Sequence, residues 1–233
     1  MPVEKLTTHI SGCLNFIAKF KNSMSEAVDP IQPSSSPSSP APPPLIASSL
    51  SIQDLVSTSS HLDLRVGRMM SVEKHPSADK LYIEQVDFGS VLGIRTVVSG
   101  LVPYFTPDQI QGKLCLFVAN LKPASMRGVK SQAMVLVARG PCGNVEFIAP
   151  PKSAQPGDRA TFSIPGESGS LGSFPADPIL NPKKLHWETV QPALGISPHS
   201  KSIVLKASDG SEAILLCGSD PVHVSILTTG VIS

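Results

Sequence analysis

The feature that most constrains this chain is a change of period. From Leu62 to Arg139 the apolar residues alternate in five short runs: LDLRVGRMMSV, LYIEQVDF, IRTVVSG, KLCLFVANL and QAMVLVAR. Alternation of period two turns one face of each run inward, which predicts five half-buried strands. Turn-forming segments such as HPSAD and KPASMRG separate them, and TPDQIQG predicts a short helix between the third and fourth. Five short strands with one helix at that place predict a small closed barrel of the OB type, and a mainly β fold overall.

The flanks read differently. In residues 1–28, Leu6, Ile10, Leu14, Ile17 and Phe20 recur at steps of three and four, which predicts an amphipathic helix. That helix docks either on its own protein or on another one. Residues 29–58 then read as a linker, because PSSSPSSPAPPPLIASS (Pro33 to Ser49) holds six Pro and seven Ser in 17 positions. Such a segment has too few large apolar groups to offset the entropy of ordering, and it favours an extended chain. It serves as a spacer or as a ligand for proline-binding domains. The barrel is expected over 59–162. Past it, NPKKLHWETV predicts a helix capped by Asn181 with Pro182 at its first position. SIVLKAS, EAILLCG and VHVSILT add short strands, so 163–233 is expected to form a smaller β-rich lobe.

A net charge of +1 conceals an uneven distribution. Residues 1–60 carry three bases and four acids, 61–162 carry twelve and eight, and 163–233 carry four and six. From Gln109 to Val145 stand Lys113, Lys122, Arg127, Lys130 and Arg139, with no Asp or Glu. An acid-free run of cations favours a polyanionic partner, and the modest total charge disfavours indiscriminate binding. No run of eighteen apolar residues predicts a membrane span, and the first twenty residues lack the apolar core of a signal peptide. Cys13, Cys115, Cys142 and Cys217 stand far apart without metal-finger spacing, so buried reduced thiols in a cytoplasmic protein are expected.

Catalytic patterns are missing. The chain holds no GxSxG elbow, no GxxxxGK[ST] loop, no HExxH and no GxGxxG after a strand. His75, followed by Asp79, lies in a segment of turn composition, where a structural role outweighs acid–base work. Neither an enzyme activity nor a cofactor or metal is expected.

Eight segments in order carry a resemblance. LDLRVG (Leu62 to Gly67), HPSADKLY, RTVVSGL, NLKP (Asn120 to Pro123), MRGVKSQAM (Met126 to Met134), APP, PGD and NPKK (Asn181 to Lys184) resemble the tRNA-binding domain of the endothelial monocyte-activating polypeptide family. That family includes auxiliary proteins of aminoacyl-tRNA synthetase complexes and carboxy-terminal extensions of some synthetases. The resemblance implies an OB barrel that binds folded tRNA, then a lobe that imitates the dimer partner of shorter relatives and leaves a monomer. The synthetase motifs HIGH and KMSKS do not occur, so a standalone factor that presents tRNA to synthetases is expected, with the amino-terminal segment as its synthetase contact. An interaction scaffold or released cytokine-like fragment is the alternative. A single-strand OB module fits less well, since several of the few aromatics sit at apolar strand positions rather than forming a stacking platform.

Within this frame Asn120, Lys122, Arg127, Lys130, Ser131 and Met134 flank the loop KPASMRGVK and are expected to face one ligand. Lys80 matches a lysine on the same face in relatives. Lys80, Lys122, Arg127 and Lys130 suit phosphates, Asn120 and Ser131 suit hydrogen bonds to ribose or base edges, and Met134 suits an apolar contact. Asn120 has a second reading as a bond to turn backbone, and Met134 as core.

Overall fold

The computed structural model describes residues 50–166 and 175–233. The expected helix at 1–28 and the Pro/Ser run to Ser49 lie outside the described residues.

The first described element corrects the linker boundary. Residues 52–58 were expected to belong to the spacer, yet Ile52–Ser59 forms a helix, α1. Ser51 starts it by accepting a hydrogen bond from Asp54 N at 3.1 Å, which satisfies one of the open donors of the first turn. Ile52, Leu55, Val56 and Ser59 then fall on one buried face. The serines that give this stretch a linker's composition serve here as cap and as backbone-bonded side chains.

The barrel follows as expected. Its strands are β1 (Leu64–Lys74), β2 (Tyr82–Asp87), β3 (Ile94–Ser99) and β4 (Leu114–Val118), with the helical turns α2 (Gly89–Leu92) and α3 (Pro107–Ile110) between them. The expected fifth strand is broken into short pieces. These are β7 (Met134–Val135) and β8 (Val137–Arg139), and ahead of them the segment expected as a turn forms a hairpin of β5 (Ala124–Met126) and β6 (Val129–Ser131). β1 is central, pairing antiparallel with β2 on one side and with β4 on the other. β2 pairs β3, and β4 pairs β7 through Phe117↔Val135 and Val118↔Met134. The seam closes where Gln132 N donates to Thr96 O at 2.9 Å and Val98 N donates to the Ser131 hydroxyl at 3.0 Å. Inside lie Met69, Tyr82, Val86, Phe88, Val97 and Phe117, all buried. Gly67 must lack a side chain, because a Cβ there would come within 2.6 Å of Val86 and 2.9 Å of Phe117.

β9 (Val145–Phe147) and β10 (Arg159–Ser163) lead into the carboxy-terminal elements. These are the helix α4 (His186–Val190) and the strands β11 (Leu194–Ile196), β12 (Ile203–Lys206), β13 (Glu212–Cys217), β14 (Asp220–Pro221) and β15 (Val231–Ile232). Asn181 accepts from Lys183 N at 3.0 Å and caps a 3-10 turn at Pro182–Lys184, one turn ahead of α4. VHVSILT forms no strand of its own; His223 makes isolated bridges to Ala149 and Ser202.

The expected boundary after residue 162 falls inside β10. That strand bonds β1 on one edge and β13 on the other, so the sheet runs without a break from barrel to lobe. A second core fills the junction, where Leu62, Leu64, Val66, Leu116 and Val118 meet Val204's neighbours Ile203 and Leu205, with Leu215, Ile232 and the buried face of α1. Barrel and lobe share apolar surface that neither buries alone, which explains why the ladder does not stop between them.

Candidate nucleic-acid interface

The hairpin β5–β6 projects from the seam. Its register is Ala124↔Ser131, Ser125↔Lys130 and Met126↔Val129, and Arg127–Gly128 form the two-residue turn. Arg127 has φ 51 and Gly128 φ 93. Positive φ at both central residues is what a tight hairpin turn of the primed type requires, since only those turns match the twist of the flanking strands. Ser125, Arg127 and Lys130 are exposed, while Met126 and Val129 are half-buried against the barrel.

A second turn is tied to this hairpin. Ser77 N donates to His75 Nδ1 at 3.0 Å, which places the ring proton on Nε2, and Nε2 donates to Met126 O at 3.2 Å. His75 is buried, and its two bonds hold the HPSAD turn, with exposed Lys80 at its end, beside the basic hairpin. The structural reading of His75 therefore stands.

The seven expected ligand residues divide. Lys80, Lys122, Arg127 and Lys130 are exposed and border the hairpin. Met134 is half-buried and packs against the second core, as its core reading has it, and it also lines a cavity. Asn120 and Ser131 are corrected. Asn120 is 3% exposed; its carbonyl oxygen accepts from Asp63 N at 2.9 Å, and its amide donates to His61 O and to Asp177 O at 2.8 Å each. It joins β1, the end of β4 and the loop before Asn181. Ser131 is buried, accepting from Val98 N and donating to Ala133 O at 2.9 Å. Neither side chain retains an unused donor directed at a ligand. The thiol reading is also adjusted: Cys115 and Cys217 are buried and free, whereas Cys142 lies in an exposed turn.

Sequence reasoning missed the cavity beneath the hairpin. It holds about 370 Å³, with Leu101, Leu121, Met126, Met134 and Val137 among its apolar walls and Lys122, Gln132 and Arg139 among its polar ones. Among the described residues no acidic side chain lines it. The Arg139 guanidinium lies 5.0 Å from the centroid of the Tyr104 ring. Arg139 belongs to the acid-free run, but the strand breaks that bring these walls together leave no mark in the alternation pattern.

Two further polar groups stand outside the cationic set. His61 and His186 stack at 4.2 Å and 12°, and Asp177 lies 3.1 Å from His61 Nδ1. The hydrogen bond from His61 holds the Asp177 carboxyl below its ordinary range, and burial lowers the His186 imidazole. One ion cannot lie in both of two nearly parallel ring planes, so the trio in this arrangement is a polar staple rather than a metal centre. In the barrel, Glu84 is fully buried, receives a hydrogen bond from the Ser99 hydroxyl, and is pushed by burial up to about 7.

The closed barrel is of the OB class, and the acid-free cationic hairpin on it gives a surface whose charge suits a polyanion. Residues 64–159 of the chain match the putative tRNA binding domain family. Over 136 residues it is 51% identical to the aminoacyl tRNA synthase complex-interacting multifunctional protein 1 of Cricetulus griseus, covering 58% of this chain and 35% of the relative. It is 44% identical over 134 residues to the tRNA-aminoacylation cofactor arc1 of Schizosaccharomyces pombe, covering 57% of this chain and 28% of that protein. The chain thus spans about a third of the length of these curated relatives. The crystal structure of the carboxy-terminal domain of Plasmodium vivax p43 superposes with a TM-score of 0.62 at 27% identity, covering 75% of this chain and 98% of that one. Among the described residues no helix is long and apolar enough to cross a membrane.

Proposed function

We propose that this chain is a non-catalytic tRNA-binding factor that holds tRNA near aminoacyl-tRNA synthetases. One observation carries the reading: Lys122, Arg127 and Lys130 stand exposed on a hairpin in an acid-free run, and His75 pins the Lys80 turn beside it. Exposed cations on a preformed frame suit the phosphates of a folded RNA, which is recognised by shape and backbone. The relatives named as a synthetase-complex protein and as an aminoacylation cofactor support the same role. A tRNA held by this domain, tethered to a synthetase through another segment, gains local concentration without new contacts at the reaction centre.

The test is the salt dependence of binding to bulk tRNA. Each phosphate contact contributes a slope of roughly 0.7 to 0.9 in log K against log[salt]. The double variant Lys80→Ala/Arg127→Ala is expected to lower affinity by about tenfold or more at low salt and to reduce that slope by about 1.5, with little change in melting temperature. Binding that is flat with salt, or a double variant indistinguishable from the parent, would refute the reading.

A further inference from the structure

We infer that the cavity beneath the basic hairpin seats one unpaired base of the bound RNA. This deepens the tRNA reading and rests on it. Cations alone would position a backbone over any surface, but this hairpin roofs a hollow. Its volume of about 370 Å³ exceeds what a nucleobase needs, and its apolar walls include Leu101, Leu121 and the flexible side chains of Met126 and Met134. Methionine adapts to flat, polarisable partners, as bases are.

Charge and hydrogen bonding favour a nucleotide over an apolar peptide side chain. Lys122 and Arg139 line the cavity and, among the described residues, no acidic side chain does, so a base entering it would carry its own phosphates towards cations. Gln132, also in the wall, accepts from Thr96 N through its carboxamide oxygen at 3.2 Å. That contact orients the carboxamide, and its nitrogen makes no bond to the protein among the described residues, leaving a donor suited to an acceptor on a base edge. Paired bases cannot reach such a pocket, so the seat selects a loop or junction position of a folded RNA.

Transcripts of one tRNA, each with a single abasic site at one unpaired position, test this against the full chain. Two variants accompany the parent: Ala124→Ile, which fills the cavity from an exposed position on its rim, and Met126→Ala, which removes a wall. One abasic position is expected to weaken binding to the parent protein by roughly tenfold, within the range that one base on a protein platform contributes. That penalty should shrink to about twofold or less in both variants, because the base no longer has a seat to lose. The salt slope should not change, since no charge is altered. If every abasic transcript binds like the intact one, or the penalty persists in both variants, the pocket is overturned while the cationic face stands. If the parent binds intact tRNA without salt dependence, both readings fall together.

Discussion

The tip and the root of the β5–β6 hairpin lie a few residues apart and treat their polar side chains in opposite ways. At the tip, Arg127 stands exposed in the turn and Lys130 stands exposed on the strand that follows it. At the root, Asn120 and Ser131 are buried, and each bonds backbone groups that strand pairing leaves open. Sequence assigns all four to one face with one purpose. What separates them is whether the hydrogen-bonding capacity of each side chain has already been used. A side chain that satisfies buried backbone cannot also read a ligand, and removing it leaves those groups unpaired in a dry place. Root substitutions should therefore move stability, and tip substitutions should move binding.

The largest expected effect is at Asn120. Asn120→Ala leaves Asp63 N without an acceptor and takes the donor from His61 O and Asp177 O. Three orphaned backbone groups, each costing on the order of 1 to 3 kcal/mol, add to a loss of about 4 kcal/mol. In a domain of this size that lowers the melting temperature by on the order of 10 °C, while the salt slope of tRNA binding in the folded fraction stays at the parent's value. Thermal melts and binding titrations on one sample check both. A stable variant with a shallower slope would return Asn120 to the ligand face.

Next comes Glu84, which separates barrel from tip by pH. Its carboxyl titrates at about 7 in the fold against 4.5 for the ordinary group. Below 4.5 both states are protonated and its contribution is fully present. As pH rises from there to about 7, the unfolded chain releases the proton first and stability falls. At 1.36 kcal/mol per unit, the fall is about 3 kcal/mol, constant above 7. Glu84→Gln cannot ionise, so the difference in unfolding free energy between variant and parent should grow in the variant's favour across that window. Binding through Lys122, Arg127 and Lys130 should not follow it. Denaturant unfolding from pH 4.5 to 8 decides the matter, and a flat difference would refute the neutral buried carboxyl.

What was legible follows the same division. The barrel strands were readable because alternation reports burial directly, as in LYIEQVDF, where Tyr82, Glu84 and Val86 point inward. The same pattern hid Glu84, since a carboxylate in an inward register counts as a fault until its partner Ser99 is seen. Helix α1 was hidden by composition, although its cap and its i, i+3, i+4, i+7 face are present in SIQDLVSTS. The cations could be chosen from sequence because exposure is the default for Lys and Arg. Asn120 and Ser131 could not, because their partners come from β1, β3 and the loop at Asp177, distances that motif order does not encode.

Ser131→Ala sharpens the comparison at smaller scale. It removes the acceptor of Val98 N, a buried donor at the barrel seam. A loss of about 1 to 2 kcal/mol is expected, with tRNA affinity of the folded protein within twofold of the parent. Hydrogen exchange should show Val98 and Thr96 opening faster than the rest of β3. A binding loss larger than the stability loss would place the hydroxyl on the RNA after all.

Arg127→Asn gives the smallest effect on stability, and its sign carries the information. Arg127 occupies the first central position of the turn at φ 51, a region that a long side chain visits at some cost and that Asn tolerates well. Asn-Gly is the pair such a turn prefers, so the sequence here departs from the local optimum by placing a cation at the outermost point of the hairpin. A strained position kept for charge is expected where charge acts on a partner. The substitution should raise stability by about 0.5 kcal/mol and lower tRNA affinity several-fold, with the salt slope reduced by about 0.8, one phosphate contact. Arg127→Lys, which keeps the charge and the strain, should hold the slope and gain no stability. Melts and salt titrations on the pair isolate the two effects. If Arg127→Asn binds tRNA like the parent, the cation at the turn serves no phosphate, and the contrast between tip and root loses its functional half.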